Sequence, residues 1–247
     1  MLDAGDVVFG SAGGDSFENI KLVAEMMNNL TYDTMSLGNH ELDYGSEKLY
    51  QFSQLLDFSI LASNMRRVSD HQEQGEGAAN INISSYASIP LKNQRHHTTL
   101  CVIGITVNEE NPFVKDFNVD PEVDVVLKMV QKLKSDSAQE CARIVILSHG
   151  GINVDRNIAK ELSLKNMNVD AILGGHSHVL IPDHSAEDMQ NERVKYIEYQ
   201  LILHAGLNGR HVSLLCMQWD VFSNAKVMLK ARSYLLMRPM EFTLILS

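Results

Sequence analysis

Residues 38–45, Gly-Asn-His-Glu-Leu-Asp-Tyr-Gly, set an amide, an imidazole and two carboxylates between two glycines. They follow the apolar run Met35-Ser36-Leu37, which reads as a buried strand end. An amide and an imidazole at the carboxyl end of a strand are costly to bury and well placed to hold a metal or a phosphate. Taken alone, the stretch reads as an ordinary polar turn. Three further stretches change that reading: Gly5-Asp6, then Ser148-His149-Gly150-Gly151 after Ile144–Leu147, then Gly174-Gly175-His176-Ser177-His178 after Ala171–Leu173. Each places a ligand-type residue in a tight loop after an apolar run. In an open α/β sheet such loops meet at the carboxyl ends of the strands.

One Asp, one Asn and three His form a mixed oxygen and nitrogen set. It suits Zn, Mn or Fe ahead of Ca or Mg. Singly, Asp6 and Asn39 read as turn formers and His149 as a core or loop histidine. The pair His176 and His178 is a stronger signal, and the ordered set of four stretches makes coincidence a poor account. His71, His96, His97, His184, His204 and His211 fit no such pattern and read as surface or packing residues.

The elements that must position these residues follow from periodicity. A strand runs into Gly5-Asp6. Apolar residues at Ile20, Val23, Ala24, Met27 and Leu30 have helical spacing, with Asp15 or Ser16 as the cap. A helix over 46–56 and a strand over 58–62 come next, then a polar surface excursion over 66–80. Strands are predicted over 81–86 and 99–106, a helix around Val123–Leu133, a helix near 155–162, a charged loop over 185–193, and strands near 195–203 and 211–220. Strands alternating with helices indicate an α/β domain with a largely parallel sheet. The later strands, with no helices between them, suggest a second sheet packed on the first.

With 247 residues, 45% of them hydrophobic, the chain can bury a sizeable core. Its 21 basic and 31 acidic residues give a net charge of −10, which argues against a nucleic-acid or anionic-membrane surface. Cys101, Cys141 and Cys216 are widely spaced and suggest no disulfide framework; each reads as a small core hydrophobe. No apolar run reaches the ~20 residues of a transmembrane helix. The first residues carry no signal-peptide pattern. Compartment and oligomeric state are not decided by the sequence.

The order Gly-Asp, Gly-Asn-His-Glu, Ser-His-Gly-Gly, Gly-Gly-His-Ser-His resembles the calcineurin-like metallophosphoesterases. The longer form over 38–45, Leu-Ala-Ser-Asn over 61–64 and His204-Ala205-Gly206-Leu207-Asn208-Gly209-Arg210 are similar to the 5′-nucleotidase and UDP-sugar hydrolase branch. The resemblance covers residues 1–221, with 222–247 left as a tail or linker remnant. It implies a four-layer sandwich of two mixed sheets flanked by helices, with two divalent metals at the sheet ends and a small-molecule nucleotide as substrate. By motif position, Asp6 would bridge both metals. Asn39, His149 and His176 would complete the second site and His178 would reach the first. His40 would contact the phosphate and stabilise or protonate the leaving oxygen, with Asp43 orienting it. Glu41, which could pass for a base, is not a ligand in the family and reads as structural. Members are often secreted or surface-attached, others cytoplasmic.

Two family features have no counterpart among these motifs. The D-x-H motif on a central strand, which supplies further ligands to the first metal, does not occur ahead of Gly5-Asp6. After Asp220 nothing resembles the branch's nucleotide-gripping domain, and Arg232 and Arg238 acquire no role. The expectation is a phosphate-ester hydrolase of 5′-nucleotidase type, using a metal-activated water, with a complete second site, a depleted first site and impaired turnover. A one-domain enzyme of loose specificity and a catalytically inactive metal-binding interaction module are the alternatives.

Overall fold

The structure, a computed structural model, describes residues 1–8, 16–68, 81–91, 98–109, 117–135, 141–181, 200–207, 209–219 and 226–235. In chain order its elements are β1 (Leu2–Asp3), α1 (Phe17–Asn29), β2 (Thr34–Ser36), α2 (Gly45–Leu55), β3 (Ser59–Leu61), β4 (Met65–Arg67), β5 (Ile83–Ser84), β6 (Tyr86–Leu91) and β7 (Thr98–Ile105). There follow β8 (Phe117–Val119), α3 (Glu122–Ser135), β9 (Cys141–Ser148), α4 (Ile152–Leu164), β10 (Ala171–Gly174), β11 (Ile202–His204), β12 (His211–Trp219) and β13 (Lys226–Leu235).

Two sheets carry the architecture. The first has the order β1-β2-β3-β5 and is parallel throughout. The second has the order β11-β10-β9-β7-β6, with β6 alone antiparallel to its neighbour. Because side chains alternate along a strand, each sheet has two buried faces. Met35 and Ile60 face the helical side, against Ile20, Ala24 and Met27 of α1 and Leu49 and Phe52 of α2. Cys101, Ile103 and Ile105 of β7 and Ile144 and Ile146 of β9 meet Val126, Val130 and Leu133 of α3 and Ile158 and Leu162 of α4. The alternate residues, Leu61, Val102 and Leu147, close the space between the sheets. The layers therefore run helix, sheet, sheet, helix. Gly104 lies in that seam, where a Cβ would overlap the Leu61 side chain and backbone. Ser63 N–H donates to Gly104 O at 2.8 Å across the same approach.

The second sheet differs from the sequence reading. β11, one of the later strands, joins it at the edge, but β6, β7, β9 and β10 come from the middle of the chain, with α3 and α4 in the crossovers. The apolar run at residues 99–106 belongs with 144–147 because both face α3 and α4. The later β12 instead pairs with β13 as a separate antiparallel ladder. Residues 226–235, within the stretch read as a tail, are that partner strand. Arg66 and Arg67, expected to begin a surface excursion, lie in β4, which pairs antiparallel with β8. Arg66 makes a bidentate ion pair with Asp120 there. The remainder of the excursion (69–80), the charged loop over 185–193, Asp15, Asp220, His71, His96, His97 and His184 lie outside the described residues. Ser16 caps α1, its Oγ accepting from Asn19 N–H at 3.2 Å.

The cysteine reading needs correction. Cys101 and Cys141 form a disulfide between adjacent strands β7 and β9, with Cα atoms 5.5 Å apart. Their 40-residue separation hid it, since parallel neighbours are joined through a helix and give no local spacing. Cys216 is exposed rather than in the core. Among the described residues no helix is long and apolar enough to cross a membrane.

Candidate metal centre

The loops after β1, β2, β9 and β10 open at the same edge of the two sheets, because all four strands are parallel within them. They bring Asp6, Asn39, His149 and His176 together. Potential ligand atoms of Asp6, His149 and His176 all lie within 4.8 Å of one another. Asn39 Oδ1 completes the group, 3.2 Å from His149 Nε2 and 3.1 Å from His176 Nδ1. His149 Nε2 is also 2.9 Å from Asp6 Oδ2. His178 is exposed and stands outside this cluster.

The backbone is strained where these residues sit. Five described residues other than glycine have positive φ, and three of them are Asp6 at 64°, His176 at 66° and His178 at 56°. Such conformations cost free energy and persist where the surroundings enforce them. For Asp6 the enforcing group is Glu41, on the single helical turn His40–Leu42. Its fully buried carboxylate accepts from the N–H groups of Asp6 (2.9 Å), Val7 (2.7 Å), Val8 (3.2 Å) and Gly38 (2.7 Å). Burial, joined by the charge of Asp6, pushes Glu41 up to about 7 against those four donors. Gly38 must be glycine for this packing, since a Cβ there would collide with Asp6 and with the Glu41 carboxylate.

Electrostatics favour a cation at the cluster. His149 Nδ1–H donates to Ala4 O at 2.6 Å, which leaves Nε2 as the nitrogen aimed at Asp6 and Asn39. That arrangement sets a ring lone pair against two oxygen acceptors unless a proton or a metal lies between them. Burial alone would lower His149; the Asp6 carboxylate overcomes it and raises the imidazole above its usual value. Burial likewise works against the Asp6 charge, but the His149 contact holds its carboxyl below the usual range. The donor set of one carboxylate, one amide oxygen and two imidazoles fits Zn or Mn chemistry. Nearby, desolvation of Asp3 pushes its carboxyl up to about 6.

At the cluster's rim His40 N–H donates to Asp6 Oδ1 at 3.0 Å, and His40 Nδ1 lies 2.7 Å from Asp43 Oδ2. That contact raises His40 above its usual value, with the charges of Asp6 and Glu41 adding to it. With Nδ1 held by Asp43, Nε2 is the other ring nitrogen of His40.

A pattern for the calcineurin-like phosphoesterase domain matches residues 1–180. The chain belongs to the calcineurin-like phosphoesterase family. Among similar proteins are Protein 5NUC of Lutzomyia longipalpis, 32% identical over 77% of this chain and 31% of that protein, and the 5′-nucleotidase of Homo sapiens, 29% identical over 73% of this chain and 29% of that protein. The chain thus spans about a third of the length of the curated relatives it matches. In fold it is similar to the 5′-nucleotidase precursor of Thermus thermophilus, with a TM-score of 0.72, 24% identity, and coverage of 95% of this chain and 44% of that one.

Several residues around this candidate site escaped the sequence reading: the Ala4 carbonyl behind His149, the half-buried Asp3, and Glu109, whose Oε1 lies 3.3 Å from His176 Nε2. Glu109 follows β7, another parallel strand of the same sheet, and position at a strand's carboxyl end was the signal available. His204 and Asp155, distant in sequence, form a buried pair at 2.7 Å between β11 and α4.

Proposed function

We propose that this chain is the metal-binding part of a 5′-nucleotidase-type phosphoesterase that hydrolyses phosphate esters of nucleotides. The observation that carries the reading is the convergence of Asp6, Asn39, His149 and His176 beside the His40–Asp43 pair. A divalent cation held there supplies Lewis acidity toward a phosphate oxygen and eases deprotonation of water. Asp6, Asn39, His149 and His176 hold it, with Glu41 fixing the loop of Asp6. His40, kept protonated by Asp43, offsets the charge that builds on the leaving oxygen and delivers a proton to it. Small nucleotides as substrates are supported by the named 5′-nucleotidase relatives.

We further infer that the site present here is the second of the family's two metal sites and that turnover by the 247-residue chain is slow. The exposed His178, apart from the cluster, supports a first site that needs ligands from elsewhere. The same observation favours the alternative of an inactive metal-binding module. The Cys101–Cys141 disulfide supports maturation in an oxidising compartment.

The test measures Mn-dependent phosphate release from 5′-AMP, with this chain and with one extended upstream by a strand carrying D-x-H. The extended chain is expected to gain activity, and His40→Ala in it to lower turnover roughly 10²–10⁴-fold with metal content unchanged. A folded extended chain that binds metal and releases no phosphate would leave the inactive-module reading standing.

A further inference from the structure

Each of the two clustered imidazoles must present one bare nitrogen to a metal, and something must hold the proton on the other. For His149 that partner is the Ala4 carbonyl at 2.6 Å. His176 turns the opposite atom inward: Nδ1 faces Asn39 Oδ1 at 3.1 Å, and Nε2 points outward. The described group it meets there is the Glu109 carboxylate, with Oε1 3.3 Å away.

The placement of Glu109 is built. Asn64, fully buried, donates through Nδ2 to Thr106 O at 2.8 Å and accepts Thr106 N–H at 3.0 Å through Oδ1. The same Nδ2 reaches Asp120 O at 3.1 Å. Asn108 N–H donates to Glu122 Oε1 at 2.8 Å, in the first turn of α3. The chain leaving β7 is therefore pinned at Thr106 and at Asn108, and the next residue is Glu109. This also gives a task to Asn64 of the Leu-Ala-Ser-Asn stretch, which the ligand set leaves unused.

We propose that Glu109 is a positioning residue for the metal centre: it accepts the Nε2–H of His176 and so fixes Nδ1 as the nitrogen offered to the cation. The inference rests on the metallophosphoesterase reading of the cluster. A carboxylate behind a ligating imidazole holds the tautomer and ring orientation and raises ligand basicity, and its loss weakens metal binding. Glu109 is half exposed, so its replacement leaves the buried core intact.

The experiment titrates the full 247-residue chain with Mn, reading affinity and stoichiometry, and records the His176 ring tautomer by nitrogen NMR before metal is added. Glu109→Ala is expected to weaken Mn binding roughly 10–100-fold at unchanged stoichiometry, and to shift metal-free His176 from Nε2–H toward a mixture of tautomers. Glu109→Gln, whose amide oxygen still accepts, should recover much of both. Equal affinity in wild type and Glu109→Ala overturns the proposal. So does a stoichiometry lower by one ion, which would make Glu109 a ligand rather than a support. If the wild-type chain takes up no Mn while its His176 tautomer still responds to Glu109→Ala, the metal reading fails and the Glu109–His176 contact does not.

Discussion

Two buried histidine–aspartate contacts exist among the described residues, and only one of them belongs to the candidate metal site. His149 meets Asp6 at 2.9 Å, and His204 meets Asp155 at 2.7 Å; both histidines are 1% exposed. The pairs are alike in chemistry and differ in surroundings. His149 sits in a loop at strand ends, its second nitrogen tied to Ala4 O, with Asn39 and His176 closing round the first. His204 sits in a strand against a helix. Its Nδ1 and the Asp155 Oδ1 are buried without a hydrogen-bond partner among the described residues. An imidazole beside a carboxylate is therefore not enough to mark a ligand. What separates the two is the number of further donors that converge and the strained loops that bring them.

The largest effects should separate the pairs cleanly. Asp155→Ala leaves His204 enclosed without its partner and is expected to cost about 3–5 kcal/mol of stability, read by urea unfolding of the metal-free chain, with metal affinity retained by the folded fraction. Asp6→Ala is expected to do the reverse: metal binding is abolished, and stability changes by on the order of 1 kcal/mol. Removing Asp6 also relieves the repulsion that raises Glu41 and Asp3. Equal destabilisation by both variants would erase the distinction between the pairs.

A smaller effect concerns Asp3, next to the metal cluster. Its folded value of about 6 lies above the ordinary 3.8, so the protonated form is the one the fold favours. Its contribution to the metal-free chain is full at pH below the ordinary value and is lost as pH rises through about 6. Asp3→Asn should remove that decline, gaining stability relative to wild type at neutral pH more than in acid. Parallel curves for the two proteins would show that burial of Asp3 carries no such cost.

The smallest effect lies in a third histidine–aspartate contact, the part-exposed His40–Asp43 pair. Asp43→Asn should bring the His40 imidazole back down toward its ordinary range, followed by proton NMR in the metal-free chain. No change would mean that Asp6 and Glu41 alone set it.

The sequence was most legible where chemistry and period coincide. Every predicted ligand follows the end of a strand, because a short apolar run ending in glycine and a polar residue has few other ways to fold. Helices over 17–29, 122–135 and 152–164 follow the apolar spacing, with ends displaced by a few residues. What escaped was non-local. The bridge from β7 to β9, the His204–Asp155 pair and the Glu109–His176 contact each join residues whose proximity depends on strand order, which no window of sequence contains. His178 shows how far two neighbours in one motif can diverge, since its side chain stands outside the cluster that His176 joins.

The disulfide has one further consequence, for the fate of the chain under proteolysis. Between Cys101 and Cys141 run the end of β7, the segment bearing Glu109, and α3. A single cut anywhere in that interval leaves the two products covalently joined through the bridge. The nicked protein would migrate as one species without reductant and as two with it. The strand that leads to Glu109 and the strand that leads to His149 would stay fastened side by side after the connection between them was severed.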